Sequence, residues 1–420
     1  MTDSDIAPPS LSTLSTDRPA HRDPNVLRWL VAYTASMIGD SVYYVALSWA
    51  AVQSGTPSQA GLVMAVSALP RALLMLGGGV VADRFGPRRV VIGSDSVRCA
   101  AVLAVAALLF FTSPGLWPLA ALALVFGAVD AVFLPAVGAL PARVTTRGQL
   151  ARVQGMRGLA IRFALVVGAP LGGFGVAAGG AATAFALAGL LIAVSVPLLV
   201  SIRIRELPPD DETDAHDSTA WGDLGAGLRY IRRHRVLAPL VLAIALGDLG
   251  FVGPLNVGLT LLADERGWGA SGVGWVLAGL GTGAGAAALL LAVRGRIPYA
   301  GHVAAYALLA GAVAMGALAY APGVIVAVGT ALLIGLLAGL SGALCGALLQ
   351  TQSDPAYLGR VTAVAGLVSL GLAPLSMPVS AAAIGAWGTG PVFVVSAVVC
   401  GLGGVVALCV RDLRRAELPR

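Results

Sequence analysis

"GGGVVADRFGPRRVV", residues 77–91, separates two long apolar stretches, and its reading decides how the rest of the chain is organised. Only 11% of the 420 residues are charged, yet Asp83, Arg84, Arg88 and Arg89 fall within seven residues here, with Gly79 and Gly86 among them. A short, charged, glycine-bearing bend between apolar runs marks a tight connection between two helices. It also asks what the charges hold.

Working outward, 57% of the residues are hydrophobic and the mean hydropathy is +0.86. Soluble domains carry about 25% charged residues, and a helix needs about 20 apolar residues to cross a bilayer. Runs of that length recur along nearly the whole chain, so the sequence predicts an all-α, polytopic membrane protein. All 27 basic residues are Arg. This bias, with abundant Ala, Gly and Val, points to a GC-rich bacterial genome. The basic pI near 9.5 reads as membrane topology and not as nucleic-acid binding, because the Arg residues cluster in a few short connections. Cys99, Cys345, Cys400 and Cys409 all lie in apolar runs without a CxxC pair, which predicts reduced, buried thiols. Residues 1–26, rich in Ser, Thr, Pro and Asp and lacking an apolar signal core, read as a disordered cytosolic tail.

Apolar runs between breakers give twelve spans: 27–52, 58–82, 90–112, 116–141, 150–176, 180–202, 236–262, 270–293, 299–320, 323–350, 359–385 and 390–410. A hydrophilic segment, 203–235, divides them six and six. The expected organisation is therefore a six-helix bundle at 27–202, a cytosolic linker at 203–235, a second bundle at 236–411 and a tail at 412–420. The linker holds Pro208-Pro209, an acidic run at 210–217 and then Arg229, Arg232, Arg233 and Arg235; a short amphipathic helix at 224–231 is expected to lie on the membrane surface. Connections after spans 2, 4, 6, 8 and 10 carry Arg84/Arg88/Arg89, Arg143/Arg147, the linker set, Arg294/Arg296 and Arg360. The opposite connections carry only Arg266. Both termini are thus expected in the cytosol of a bacterial inner membrane. Trp49, Trp117, Trp268 and Trp387 would then lie at the outer interface.

The two halves repeat each other. "IGDSVYYVALSW" in span 1 matches "LGDLGFVGPLNV" in span 7, and "GLVMA" at Gly61 matches "GWVLA" at Gly274. "QLARV" before span 5 matches "YLGRV" before span 11, and "APLGG" at Ala169 matches "APLSM" at Ala373. Parallel six-helix repeats place a substrate site between the halves near the midplane, here between spans 1, 4, 7 and 10, with alternating access by rocking.

With these residues in view, the chain resembles the major facilitator superfamily. "GVVADRFGPRR" resembles that family's loop signature between spans 2 and 3. "APLGG", with Gly168 before it and Pro170, Gly172 and Gly173 within it, resembles the span-5 Gly-Pro motif of its drug:proton antiporters, with Ala169 where Gly is usual. "ALPRALL" in span 2, "SDSVR" in span 3 and "FLPAVGALP" in span 4 are similar to the macrolide-efflux and siderophore-exporter branch. The resemblance implies two pseudo-symmetric bundles of six helices. It also implies a latch in which the bend meets the start of span 11, "SDPAYLGR". There Asp83 would face a positive helix end, Gly86 would adopt positive φ, and Arg84, Arg88 and Arg89 would pair with carboxylates. An acid common in the family at the end of span 4 is replaced by Ala142-Arg143, so Asp95 is the expected partner of Arg84.

Charges within spans are costly and mark functional candidates. Asp40 in span 1, Arg71 in span 2, Asp130 in span 4 and Asp248 in span 7 are the candidates for proton coupling, with Asp40–Arg71 the leading pair. The structural alternative is a static buried ion pair joining spans 1, 2 and 4. Asp95 and Arg98, three apart, read as an intrahelical pair near the latch. Tyr43, Tyr44, Phe251 and Asn256 are candidates for the cavity lining. These features point to proton-driven export of a hydrophobic or amphiphilic small molecule, such as an antibiotic or a siderophore-like product, by a monomer. Nutrient uptake or facilitated diffusion, or a membrane sensor or scaffold, are the alternatives. No nucleotide, metal or cofactor motif is present and no enzyme is expected: the four His residues lie in the tail, the linker or near a helix start, and a Walker loop is missing.

Overall fold

A computed structural model describes residues 20–112, 115–146, 149–204, 220–294, 298–354 and 357–417. In it the first six crossings come from five helices: α1 (Pro24–Ser54), α2 (Pro57–Phe85), α3 (Pro87–Phe111), α4 (Trp117–Val144) and α5 (Leu150–Ser201). α5 is 52 residues long and contains two crossings, because Gly179 and Gly180 leave helical geometry and Gly180 takes φ 75°. After α6 (Ala220–Arg233), the second six are α7 (Leu237–Gly253) continued through a π-helical turn, Pro254–Gly258, into α8 (Leu259–Glu265), then α9 (Gly269–Arg294), α10 (Ala300–Leu318), α11 (Val324–Gln352), α12 (Leu358–Trp387) and α13 (Thr389–Cys409). A last turn, α14, covers Arg411–Arg414. Among the described residues nine helices are long and apolar enough to cross a membrane. The kink divides one of them, and α2 and α12, at 29 and 30 residues, complete the twelve.

Local chemistry sets the helix ends. Asp23 caps α1 by accepting the Asn25 N–H at 2.8 Å, with Pro24 in the first turn. Thr56 and Gln59 form a reciprocal capping box at α2, satisfying two donors that the helix start leaves open. The quoted bend is tighter than its composition suggested: α2 and α3 are joined by Gly86 alone, at φ 82°, with Pro87 opening α3. An L side chain is strained at that φ, so glycine is required there.

Helices α1–α5 pack among themselves and α7–α13 do likewise. The halves then meet along two pseudo-symmetric seams, α5 against α9 and α2 against α12. The repeated glycines make both seams close. A Cβ at Gly274 would lie 2.5 Å from the Ala169 carbonyl oxygen, and a Cβ at Gly61 would lie 3.2 Å from that of Met377. Side chains are thus excluded where backbones touch. Gly173 meets Ala270 and Ser271, while Gly168 and Gly172 accommodate Ser41 and Val42 of α1. The span-5 motif therefore serves as the packing surface between α1 and α9.

Away from the termini the halves share one core, in which Tyr43, Leu47, Met64 and Phe126 join Val257, Leu261, Met377 and Ile384. At the terminus-bearing end the cores are separate: Trp29, Phe133 and Leu140 belong to one, and Leu237, Leu344 and Val361 to the other. Polar contacts reinforce the closed end. The Ser48 and Thr260 hydroxyls are 2.6 Å apart, and Gln53 donates to Asp264 at 2.6 Å.

Several expectations at the margins need correction. Residues 20–26, expected in a disordered tail, are ordered: Ala20–Arg22 form a turn, Ala20 N–H bonds the Gln149 side chain, and α1 begins at Pro24. The C-terminal stretch packs back, with Leu413 buried and Gly301 N–H donating to the Ala416 carbonyl at 3.2 Å. The linker helix is longer than expected and packs against α12: Tyr230 stacks on Tyr357 at 4.5 Å, and its hydroxyl accepts the Asp354 N–H at 3.2 Å. The four cysteines are free, but Cys409 is exposed and Cys99 half-buried. The acidic run, Arg147 and Arg296 lie outside the described residues.

Candidate functional site

Arg98 is the centre of the site. It stands eleven residues, about 16 Å, into α3, and its side chain is fully buried. One terminal nitrogen, Nη1, donates to both oxygens of Asp40 on α1, at 2.8 and 3.1 Å, and lies 3.4 Å from Asp130 on α4. The other, Nη2, reaches Asp95 one turn away at 2.5 Å. The guanidinium plane lies over Phe133, 4.0 Å from the ring centroid. One planar cation thus ties three carboxylates from three helices, the kind of fork that Arg supplies and Lys does not.

The carboxylates are not equivalent. Asp95 is 1% exposed and is also held by hydroxyl donors, Ser36 at 3.1 Å and Ser195 at 2.5 Å. Three donors thus hold its two oxygens. Asp40 and Asp130 are 25% and 22% exposed. A second cation, the half-buried Arg71, lies beside the Tyr44 hydroxyl and within electrostatic reach of Asp130.

This geometry corrects the pairings expected from sequence. Asp40 pairs with Arg98, not Arg71: the Arg98 side chain reaches from α3, which packs on α4 and α5, across to Asp40 on α1 and Asp130 on α4. Asp95 is consumed by Arg98, Ser36 and Ser195, so it does not pair with Arg84. Among the described residues Arg84 makes no ion pair; its guanidinium lies 5.8 Å from the Phe85 ring. Arg88 bonds the carbonyls of Leu199 and Val200 at the end of α5, not a carboxylate. Arg89 is exposed. Gly79 lies within α2, and the Asp83 side chain lies outside the described residues.

The cavity candidates also separate. Tyr43 is buried in the core that the two halves share, stacked on Phe126 at 3.7 Å. It is a packing residue in this conformation and not part of a lining. Asn256 sits in the π-helical turn, where its amide donates to the Val252 carbonyl at 2.8 Å and its own carbonyl accepts from Ser48 at 3.3 Å. Phe251 lies beside Asp248 in a cavity of about 190 Å³ in the second half. The Ser369 hydroxyl lies near Asp248. The role of Arg98 as a bridge was missed in the sequence. The available signal was its depth: eleven residues past Pro87, it is too far in to belong to the bend.

A buried network spanning three helices of a pseudo-symmetric twelve-helix bundle narrows the family, and the profile of the Major Facilitator Superfamily matches residues 29–375. The chain belongs to that superfamily, and it is a transporter of that fold. It is 26% identical to the multidrug efflux pump Tap of Mycobacterium tuberculosis (strain ATCC 25618 / H37Rv), over 96% of each chain. It is 26% identical to the enterobactin exporter EntS of Escherichia coli O139:H28, over 90% of this chain and 91% of that one. In three dimensions it is similar to the nucleoside transporter NupG, with a TM-score of 0.69, 14% identity and coverage of 94% and 100%. It is also similar to a bacterial homologue of the lysosomal transporter Spinster in an inward-facing, occupied conformation, with a TM-score of 0.69, 13% identity and coverage of 92% and 96%. At those identities the two structures bear on the fold alone.

Proposed function

We propose that this superfamily member is a proton-coupled exporter of hydrophobic or amphiphilic small molecules. The observation that carries the reading is the charge count at Arg98. Three carboxylates, Asp40, Asp95 and Asp130, surround the Arg98 guanidinium, and one further guanidinium, Arg71, lies within electrostatic reach of Asp130. One negative charge is left over in a setting where an unbalanced charge costs several kcal/mol. A single proton restores neutrality. Asp95 is locked by its hydroxyl donors, so the proton is exchanged at Asp40 or Asp130, the two partly exposed groups. Both share the same guanidinium nitrogen, so protonating one strengthens the hold of Arg98 on the other and pulls α1 and α4 differently. The export direction draws on Tap and EntS, both named as exporters.

With both termini in the cytosol, as the Arg distribution favours, the shared core closes the outer end and the conformation faces inward. The bundles at 27–202 and 236–411, the linker at 203–235 and a monomeric state complete the proposal. The latch at residues 79–89 would form in the outward-facing state, where Asp83 meets the start of α12.

The test is reconstitution in proteoliposomes with an imposed pH gradient, screening cationic dyes, macrolides and catecholate siderophores. Gradient-driven substrate accumulation with matching proton counterflow is expected. Accumulation that persists when the gradient is collapsed, or flux down the substrate gradient alone, would contradict proton antiport.

A further inference from the structure

The second half holds an acid that the coupling network does not use. Asp248 on α7 occupies the repeat position of Asp40: "LGD" here, "IGD" there. In the first half, the third crossing delivers Arg98 to the acid. In the second half, the third crossing, α10, delivers Leu308. Among the described residues no cationic side chain stands within ion-pair distance of Asp248; the Ser369 hydroxyl lies near it. In place of a guanidinium there is space. The cavity beside Asp248, about 190 Å³, is walled by Ile244, Phe251, Leu308, Ser341, Cys345 and Cys400, and is otherwise apolar.

Three occupants would balance the carboxylate. A proton balances it but leaves the apolar volume empty. A hard metal cation needs six or more oxygen ligands, and the side chains of the lining bring only the oxygens of Asp248 and Ser341. A weakly hydrated organic ammonium uses everything present: the carboxylate for its charge, Ile244 and Leu308 for its apolar body, and the Phe251 ring for a cation–π contact.

We propose that the Asp248 cavity is the seat of an organic ammonium group on the transported compound. The proposal rests on the export reading and assigns its cargo a chemistry, an amphiphile with a cationic amine. The two halves then divide the labour: the first balances its acids internally and trades a proton, while the second leaves its acid for the cargo.

Isothermal titration of the purified, detergent-solubilised full chain with benzyltrimethylammonium, and with uncharged benzyl alcohol, tests this without any transport step. Saturable binding of the ammonium is expected, weakened at least about tenfold by Asp248→Asn and retained by Asp248→Glu. Gly342→Leu should weaken it too, because Gly342 also lines the cavity, a Cβ there meets nothing within 4 Å, and the larger side chain fills the cavity with Asp248 untouched. No saturable binding by the wild type, equal affinity in Asp248→Asn, or equal binding of benzyl alcohol would each overturn the proposal. Gradient-driven export without ammonium binding would refute the cargo chemistry alone; ammonium binding without gradient-driven export would refute the coupling alone.

Discussion

The two halves solve the same problem at corresponding places in opposite ways. Each puts an aspartate in the middle of its first crossing, after Gly39 in α1 and after Gly247 in α7. The first half surrounds Asp40 with Arg98, Asp130 and Asp95. The second surrounds Asp248 with Leu308, Phe251 and a void. An ion network pins helices together and rigidifies them, while an unpaired acid in an apolar cavity is a site awaiting a partner. The comparison teaches that internal repetition preserves packing, since the glycine seams recur, while the charged chemistry has diverged between the copies.

The sharpest way to break this contrast is to remove the hub. Arg98→Leu leaves three carboxylates facing one another and should cost about 3–5 kcal/mol, seen as a collapse of thermal stability in detergent. A variant as stable as the wild type would show that the network holds nothing. Next comes Ser195→Ala, which deletes a hydroxyl donor to a buried carboxylate. A hydrogen bond to a charged group contributes about 1.5–3 kcal/mol, and the unfolding midpoint should fall accordingly; no change would mean that Asp95 is not locked. The smallest effect is expected in the other half. Asp248→Asn breaks no ion pair, and because truncating a paired buried ion is what costs several kcal/mol, stability should hold to within about 0.5 kcal/mol. A loss comparable to that of Arg98→Leu would mean that Asp248 has an internal partner and that the contrast between the halves is false.

Much of the fold was legible in the sequence because membrane crossing is written in length and hydropathy. The twelve spans, the six-plus-six division and the turn at Gly86 follow from such patterns, and the matched glycines at Gly61 and Gly274 proved to sit in equivalent seams. What was not legible was which buried charge meets which. Asp40, Arg71, Asp95, Arg98 and Asp130 were all visible as costly charges, but their pairing depends on how far each helix is rotated and on how far each side chain reaches across the bundle. One-dimensional spacing fixes only i,i+3 neighbours, so Asp95–Arg98 was readable and Arg98–Asp40 was not. Tyr43 failed for a related reason: residues on the Asp40 face at helical spacing still divide between a cavity and a stack on Phe126 according to the neighbouring helix.

The central claim is that the Arg98 network carries one more acid than base and holds an exchangeable proton. Infrared difference spectroscopy of the carboxyl C=O band during a pH titration tests this most directly. It should be run on purified Asp248→Asn protein, so that the second-half acid is silent. The account predicts a protonated-carboxyl band that disappears on titration, and its abolition when Asp40→Asn is added, because two carboxylates then balance two guanidiniums. An unchanged band in the double variant, or no titrating carboxyl in the Asp248→Asn protein, would contradict it.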